Sequence, residues 1–180
     1  AKKTIELLHN YPCIVYYTIF NEGWGQHDAT PIYKELKALD SSRVYDTASG
    51  WFNNVESDVI SEHIYFKDIK LAPSKNKPIV LSEFGGYSCK IDEHSFNLSN
   101  TYGYKNCTID NFMADLENLY YNQVIPSIDN GLCATVITQV SDIEDETNGL
   151  VTYDRKVVKV DKNKMQAIKT EIDKRFNKAY

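Results

Sequence analysis

The sequence has no long apolar run. Its longest stretches, such as Cys13–Phe20, span only about eight residues, far short of the roughly 20 that a membrane-spanning helix needs. No membrane partner is expected. It has no block of basic residues either: 20 Lys and Arg stand against 25 Asp and Glu, for a net charge of −5. Nucleic acid finds no electrostatic footprint on such a chain. No CxxC occurs, and none of the four cysteines sits near a histidine at zinc-ligand spacing, so no metal centre is expected. His9, His27 and His94 have no partner spacing. Gly85-Gly86 lacks the lysine of a phosphate loop, and Ser82 lacks the G-x-S-x-G setting of a nucleophilic serine. There is no internal repeat, no low-complexity tract and no signal-peptide pattern at Ala1.

What is present has the make-up of a folded domain. Hydrophobic residues are 42% and charged residues 25% of 180, enough for a sizeable core. Residues 3–11 read as the end of a helix, and Cys13–Phe20 as a strand buried on both faces. Thr30-Pro31 reads as the cap and first residue of a helix to Leu39. Strands are expected at Arg43–Ala48, Val59–Tyr65, Pro78–Phe84 and Leu132–Val140. Residues 87–108 show no periodicity and read as a long loop, of the kind that is functional or disordered. Asp110 is expected to cap a helix to Val124, and Asp161 a last helix carrying Met165, Ile168, Ile172 and Phe176. Leu150–Tyr153 and Lys156–Val160 suit a small hairpin. The acidic run Asp142, Glu144, Asp145, Glu146 reads as a solvated loop, with a cation site as the alternative. The order of strands and helices predicts an α/β fold with a parallel sheet, open or part of a barrel.

The cysteines divide into two kinds. Cys13 and Cys133 lie in apolar runs and are expected to be buried thiols. Cys89 and Cys107 flank the long loop and could pair in an oxidising compartment. Asn97-Leu98-Ser99 and Asn106-Cys107-Thr108 are glycosylation sequons, meaningful only in a secreted eukaryotic protein.

Two stretches share one design. Thr18-Ile19-Phe20-Asn21-Glu22-Gly23-Trp24-Gly25 and Pro78-Ile79-Val80-Leu81-Ser82-Glu83-Phe84-Gly85-Gly86 each end an apolar strand in a glutamate followed by glycines. The C-terminal ends of strands are where α/β barrels and open sheets place their chemistry. Two carboxylates there can cleave a glycosidic bond, one as acid and the other as nucleophile. Asn21 suits a bond to a sugar 2-OH. Trp24 and Trp51 offer flat faces for sugar rings, with Trp51 equally readable as core. His63 and Tyr65, two apart on one strand, read as sugar contacts. A barrel that binds carbohydrate without cleaving it, and an unrelated α/β hydrolase such as an esterase, are the rival readings.

Asn21-Glu22 and Ser82-Glu83-Phe84-Gly85, in that order, resemble glycoside hydrolase family 2, which includes β-galactosidases, β-glucuronidases and β-mannosidases. His63-Ile64-Tyr65 falls where strand six of that family ends. Gln139 to Arg155, with Asn148-Gly149-Leu150 and Thr152-Tyr153-Asp154-Arg155, is similar to the end of the barrel in bacterial members. The resemblance implies a (β/α)8 TIM barrel of which residues 1–180 form a single partial domain holding strands four to eight. It implies a retaining β-glycosidase, β-galactosidase-like, with Glu22 as acid/base, Glu83 as nucleophile and no cofactor. The expected partners are a carbohydrate substrate and the missing N-terminal domains of the same polypeptide, with self-association through exposed barrel edges. The isolated segment is expected to be weakly active or inactive, and the expected location is a bacterial cytoplasm. Two departures stand out. Gly23-Trp24-Gly25-Gln26 does not match the better-known β-glucuronidase or β-mannosidase sequences, and Gln139 stands where many related barrels have a tryptophan.

Overall fold

The computed structural model describes residues 1–74, 76–100 and 102–179. The chain resolves into two units: Ala1–His63 with Ser74–Ser82, and Ile64–Pro73 with Glu83–Tyr180. Both are mixed α/β.

In the first unit, α1 (Lys2–Leu8) leads to β1 (Tyr16–Asn21), α2 (Ala29–Leu39) and β2 (Val44–Ser49). β1 and β2 pair in parallel, Tyr16 opposite Val44 and Asn21 opposite Ser49, with α2 as the crossover that parallel pairing requires. The apolar positions of α1 and α2 meet over this sheet. Ile5, Leu36 and Tyr45 are buried together, with Tyr17, Ile19, Ile32 and Tyr33 packed around them. Each such aliphatic side chain contributes on the order of 2 kcal/mol. β1 begins three residues later than the apolar run suggests, and none of its residues is fully buried. Cys13 falls in the turn before it and is exposed, not a buried thiol. The cap of α2 also differs from expectation. Asp28 is the capping residue, and the Thr30 hydroxyl accepts instead from the Glu56 N–H at 3.2 Å. Pro31 is tolerated there because N–H groups of a first helical turn have no intrahelical acceptor.

β3 (Ile60–Ile64) and β4 (Ile79–Gly85) run from the first unit into the second. The second unit adds β5 (Tyr87–Ser88), β6 (Lys105–Asn106), α3 (Ile109–Leu119), α4 (Ile125–Ser127), β7 (Leu132–Thr138) and α5 (Lys162–Ala179). The order in the three-stranded sheet is β3-β4-β7. Its core gathers Phe84, Phe112, Leu116, Val124, Ile128 and Ile168, with Phe84 edge-on to Tyr120 at 5.6 Å.

The helical run after residue 108 is longer than expected. Thr108, not Asp110, is its N-cap, and Asp110 sits in the first turn, where a carboxylate favours the helix dipole. The run passes through a π-turn at Tyr120–Val124, then α4, then a 3-10 turn at Ile128–Asn130. Pro126 accounts for the irregularity: it cannot donate to the preceding turn and its ring crowds the carbonyl there, and the wider turn just before it absorbs the mismatch. Gly131, at φ +99°, ends the run in the left-handed region. Asp161 caps α5 as expected, its carboxylate accepting from the Lys164 N–H at 2.9 Å.

Three other expectations are corrected. Residues 87–108 contain the parallel pair β5–β6, two residues each, too short to leave a periodic signal. β7 is not a buried strand: Cys133–Val136 is exposed, Cys133 included. β7 ends the sheet order, and an apolar run is buried only where something packs on it. The acidic run is not wholly solvated either. Asp142 is fully buried, with Lys159 Nζ 2.7 and 2.8 Å from its carboxylate oxygens. The same ammonium donates to the carbonyls of Cys89 (2.8 Å) and Thr147 (2.9 Å), so a side-chain cation fills the place considered for an ion. Gly149 permits this packing, since a Cβ there would lie 2.1 Å from the Asp142 nitrogen. Between residues 150 and 160 the expected small hairpin forms around the antiparallel bridge Val151 to Val158, with the Thr152 N–H donating to the Val157 carbonyl at 2.9 Å and the Lys159 N–H to the Leu150 carbonyl at 2.8 Å.

Candidate active site

The first unit holds Asn21, Glu22, Trp24, Trp51 and His63. Asn21 is the exposed last residue of β1. The Glu22 N–H extends the β1–β2 ladder, donating to the Ser49 carbonyl at 2.9 Å. Glu22 itself is at φ 52°, a left-handed conformation that a non-glycine residue adopts at a cost of about 1–3 kcal/mol and that clusters at functional sites.

Its carboxylate is 2.9 Å from Nδ1 of His63, whose side chain is fully buried. On the other side of the ring, Nε2 is 2.9 Å from the Ser49 hydroxyl. Ser49 donates to the Ser82 hydroxyl at 3.0 Å, and Ser82 is 2.6 Å from that of Ser61. A hydroxyl has one hydrogen. With that hydrogen directed at Ser82, Ser49 accepts from His63 Nε2. The ring is wedged in place by Gly50, at φ +80°, where a Cβ would lie 2.3 Å from His63 Cγ. Asn53 fixes that turn by donating to the carbonyls of Gly50 and Ser61, at 3.2 and 2.7 Å.

Trp24 is 79% exposed and Trp51 49% exposed, which removes the core reading of Trp51. Phe52 joins them, 73% exposed. An open groove of about 420 Å³ lies beside the Glu22 loop, lined by Gly23, His27, Asp28 and Phe52 among others.

The second unit holds Tyr65 and Glu83. Glu83 is in β4, half-buried. The Tyr65 hydroxyl donates to its Oε2 and lies 3.1 Å from the Thr138 hydroxyl on β7. Burial, and then the bond to Glu83, push the Tyr65 phenol far above its ordinary value, so it stays protonated as a donor. The Tyr65 ring packs edge-on to Tyr104 at 5.4 Å. Tyr104 is likewise pushed up by burial and by the charge of Glu146, to which its hydroxyl donates at 3.3 Å. Gln139 donates to Glu146 and to the Asn148 side-chain oxygen, both at 3.2 Å.

The structure thus joins Glu22 to His63 and Glu83 to Tyr65. Sequence reasoning missed Ser49, Ser61, Gly50, Thr138 and Tyr104. The serines leave no local signal, since strand register alone brings them together. Gly50 was readable as a turn, but not as the floor of an imidazole pocket.

No family model matches the sequence, and no curated protein matches it. Solved structures do. The chain is similar to Bacteroides uniformis beta-glucuronidase 2 covalently bound to cyclophellitol-6-carboxylate aziridine, with a TM-score of 0.56 and 15% identity over 86% of this chain and 23% of that one. It is similar also to a calcium-binding mutant of the same enzyme, with a TM-score of 0.57 and 16% identity over the same shares. The chain spans less than a quarter of the length of these structures, and what it shares with that span of a glycoside hydrolase is its fold.

Proposed function

We propose that the chain carries the two catalytic carboxylates of a retaining β-glycosidase and belongs to a (β/α)8 barrel of the glycoside hydrolase family 2 kind. The observation that carries this reading is the separate provision made for each strand-end glutamate. Glu22 faces a buried imidazole, and Glu83 receives a phenol that stays protonated. The fold likeness to a β-glucuronidase supports it.

Glu22 acts first as general acid. It protonates the glycosidic oxygen while Glu83 attacks the anomeric carbon and forms a glycosyl-enzyme. Water, deprotonated by Glu22, then displaces Glu83. The carboxyl groups of a retaining pair stand about 5–5.5 Å apart, and the mechanism requires that spacing. His63 is a positioning residue for Glu22. Tyr65 stabilises the Glu83 carboxylate as it departs in the second step. Asn21 bonds the sugar 2-OH, and Trp24 and Trp51 supply ring faces. This chemistry uses no cofactor. The sugar is a β-galactoside or a β-glucuronide.

The test is covalent labelling of the longest polypeptide that carries this chain, with 2-deoxy-2-fluoro sugars and cyclophellitol aziridines of both configurations. Mass should be gained on the peptide containing Glu83 and lost in Glu83→Ala. Labelling that persists in Glu83→Ala, or that maps elsewhere, removes the assignment. Sugar binding unaffected by Glu83→Ala, with no turnover, would favour a non-catalytic barrel.

A further inference from the structure

The second unit contains a pair of sulfurs that the proposed chemistry does not use. β5 and β6 pair in parallel, Tyr87 opposite Lys105 and Ser88 opposite Asn106. The next register position sets Cys89 opposite Cys107, and the ladder continues to that point, with the Cys107 N–H donating to the Ser88 carbonyl at 2.9 Å. Register partners of a parallel pair point to the same face, and neighbouring strands run about 4.8 Å apart. That spacing falls inside the window of roughly 4.4–6.8 Å between Cα atoms that a disulfide spans without backbone movement.

The backbone at both positions is held. The Cys89 N–H donates to the Thr147 carbonyl at 2.9 Å, and its own carbonyl accepts from the buried Lys159 ammonium. Cys89 is completely buried and Cys107 half-buried, and both are free thiols. The two side chains are in hydrogen-bond contact, which lowers Cys89 from the ordinary thiol range and raises Cys107.

We infer that Cys89 and Cys107 are a redox-convertible pair that closes to a disulfide by exchange with a low-molecular-mass disulfide such as oxidised glutathione. The pair loses one proton, the hydrogen left between the two sulfurs passes to Cys89, and the Cys107 thiolate, within reach of solvent, attacks the external disulfide. A mixed disulfide forms and one small thiol leaves. Cys89, already in contact, loses its proton and attacks the Cys107 sulfur, expelling the second small thiol. Two electrons pass from the protein dithiol to the external disulfide, and nothing else is consumed. The bridge closes the segment that carries His94, 2.8 Å from Asp154, and Tyr104, packed on Tyr65. It is a covalent clasp at the base of that loop.

The test uses the 180-residue chain with Cys13→Ser and Cys133→Ser, which removes the two exposed thiols. After equilibration in glutathione buffers of rising oxidation, free thiols are counted in denaturant and an unreduced digest is mapped by mass. Loss of both thiols, a linked Cys89–Cys107 peptide and recovery of both thiols in dithiothreitol are expected. Thiols that stay reduced, exchange that stops at a glutathione adduct on Cys107, or a bridge between two chains would overturn the inference. Adding Cys107→Ser should leave Cys89 reduced throughout. If that variant fails to fold, the peptide map of the double-serine chain decides alone.

Discussion

The two units bury polar groups in opposite ways. The first hides an imidazole and a line of serine hydroxyls, His63 to Ser49 to Ser82 to Ser61. The second hides a full ion pair, Lys159 with Asp142, and satisfies the ammonium further with two backbone carbonyls. The glutamates follow the same division. Glu22 is reached through a ring that is itself held by a hydroxyl, whereas a phenol donates directly to Glu83. A hydroxyl chain passes its geometry along in small steps, each worth about 1 kcal/mol. A buried charge is either matched or ruinous. Damage to the second unit should therefore be steeper per side chain than damage to the first.

The largest effect is expected from Lys159→Met. It leaves the Asp142 carboxylate, already pushed up by burial, without its cation, and about 4 kcal/mol of stability should be lost. Urea unfolding measures this, and Asp142→Leu added to it should restore most of the loss. A single variant within 1 kcal/mol of the parent would erase the contrast between the units. Gly50→Ala comes next. It forces a side chain to φ +80° and drives its Cβ into the His63 ring, at a cost of about 3 kcal/mol, with a displaced His63 resonance in NMR spectra.

Smaller still are two effects on turnover, read in the longest polypeptide that carries the chain. Tyr65→Phe removes a hydrogen bond to a charged group, worth about 2 kcal/mol, and should lower kcat/KM about 30-fold. Ser49→Ala removes a bond one step away from Glu22, worth about 1 kcal/mol, and should cost about fivefold. Equal losses would mean that the two glutamates are held alike.

The contrast also explains what could be read in advance. β1 and β4 were legible because an apolar run that stops at Gly or Asn has few other uses, and β2 and β3 because β-branched and aromatic residues stand there between turn signals. The glutamates ending two of them were legible for the same reason. Partners far along the chain were not. Nothing local marks Lys159 as the mate of Asp142, and an acidic run beside a loop reads as solvated until the ammonium that penetrates it is seen. Cys133 was misread because apolar neighbours stand in for burial only when another layer covers the strand, and Cys13 because the strand begins three residues after it. Thr30 was misread because a threonine before a proline caps a helix only if the helix has not already begun, and Asp28 had begun it.

The smallest expected effect belongs to the first unit and sharpens the comparison from its charged side. Asp58 accepts from Lys37 Nζ, the Tyr33 hydroxyl and the Tyr45 N–H, each at 2.8 Å. Burial works to raise its pKa, but these bonds and the Lys37 charge outweigh burial and hold the carboxyl below its ordinary value. A carboxyl lowered by folding adds stability above its unfolded pKa, about 3.9, and that stability drains away as pH falls through the folded value. Tyr33 runs the other way. It is pushed up to about 12 by burial first and by Asp58 next, so its contribution is complete below its unfolded pKa of about 10 and is lost as pH rises through the folded value. Other buried phenols, Tyr45 and Tyr120 among them, are raised to about 12 as well, so Tyr33→Phe should barely change alkaline unfolding. The acid limb discriminates better. Melting temperature followed from neutral pH down to about 3 should fall less for Asp58→Asn than for the parent, because the variant has no carboxylate there to protonate. Parallel acid limbs would show that Asp58 is no better solvated by its three donors than by water.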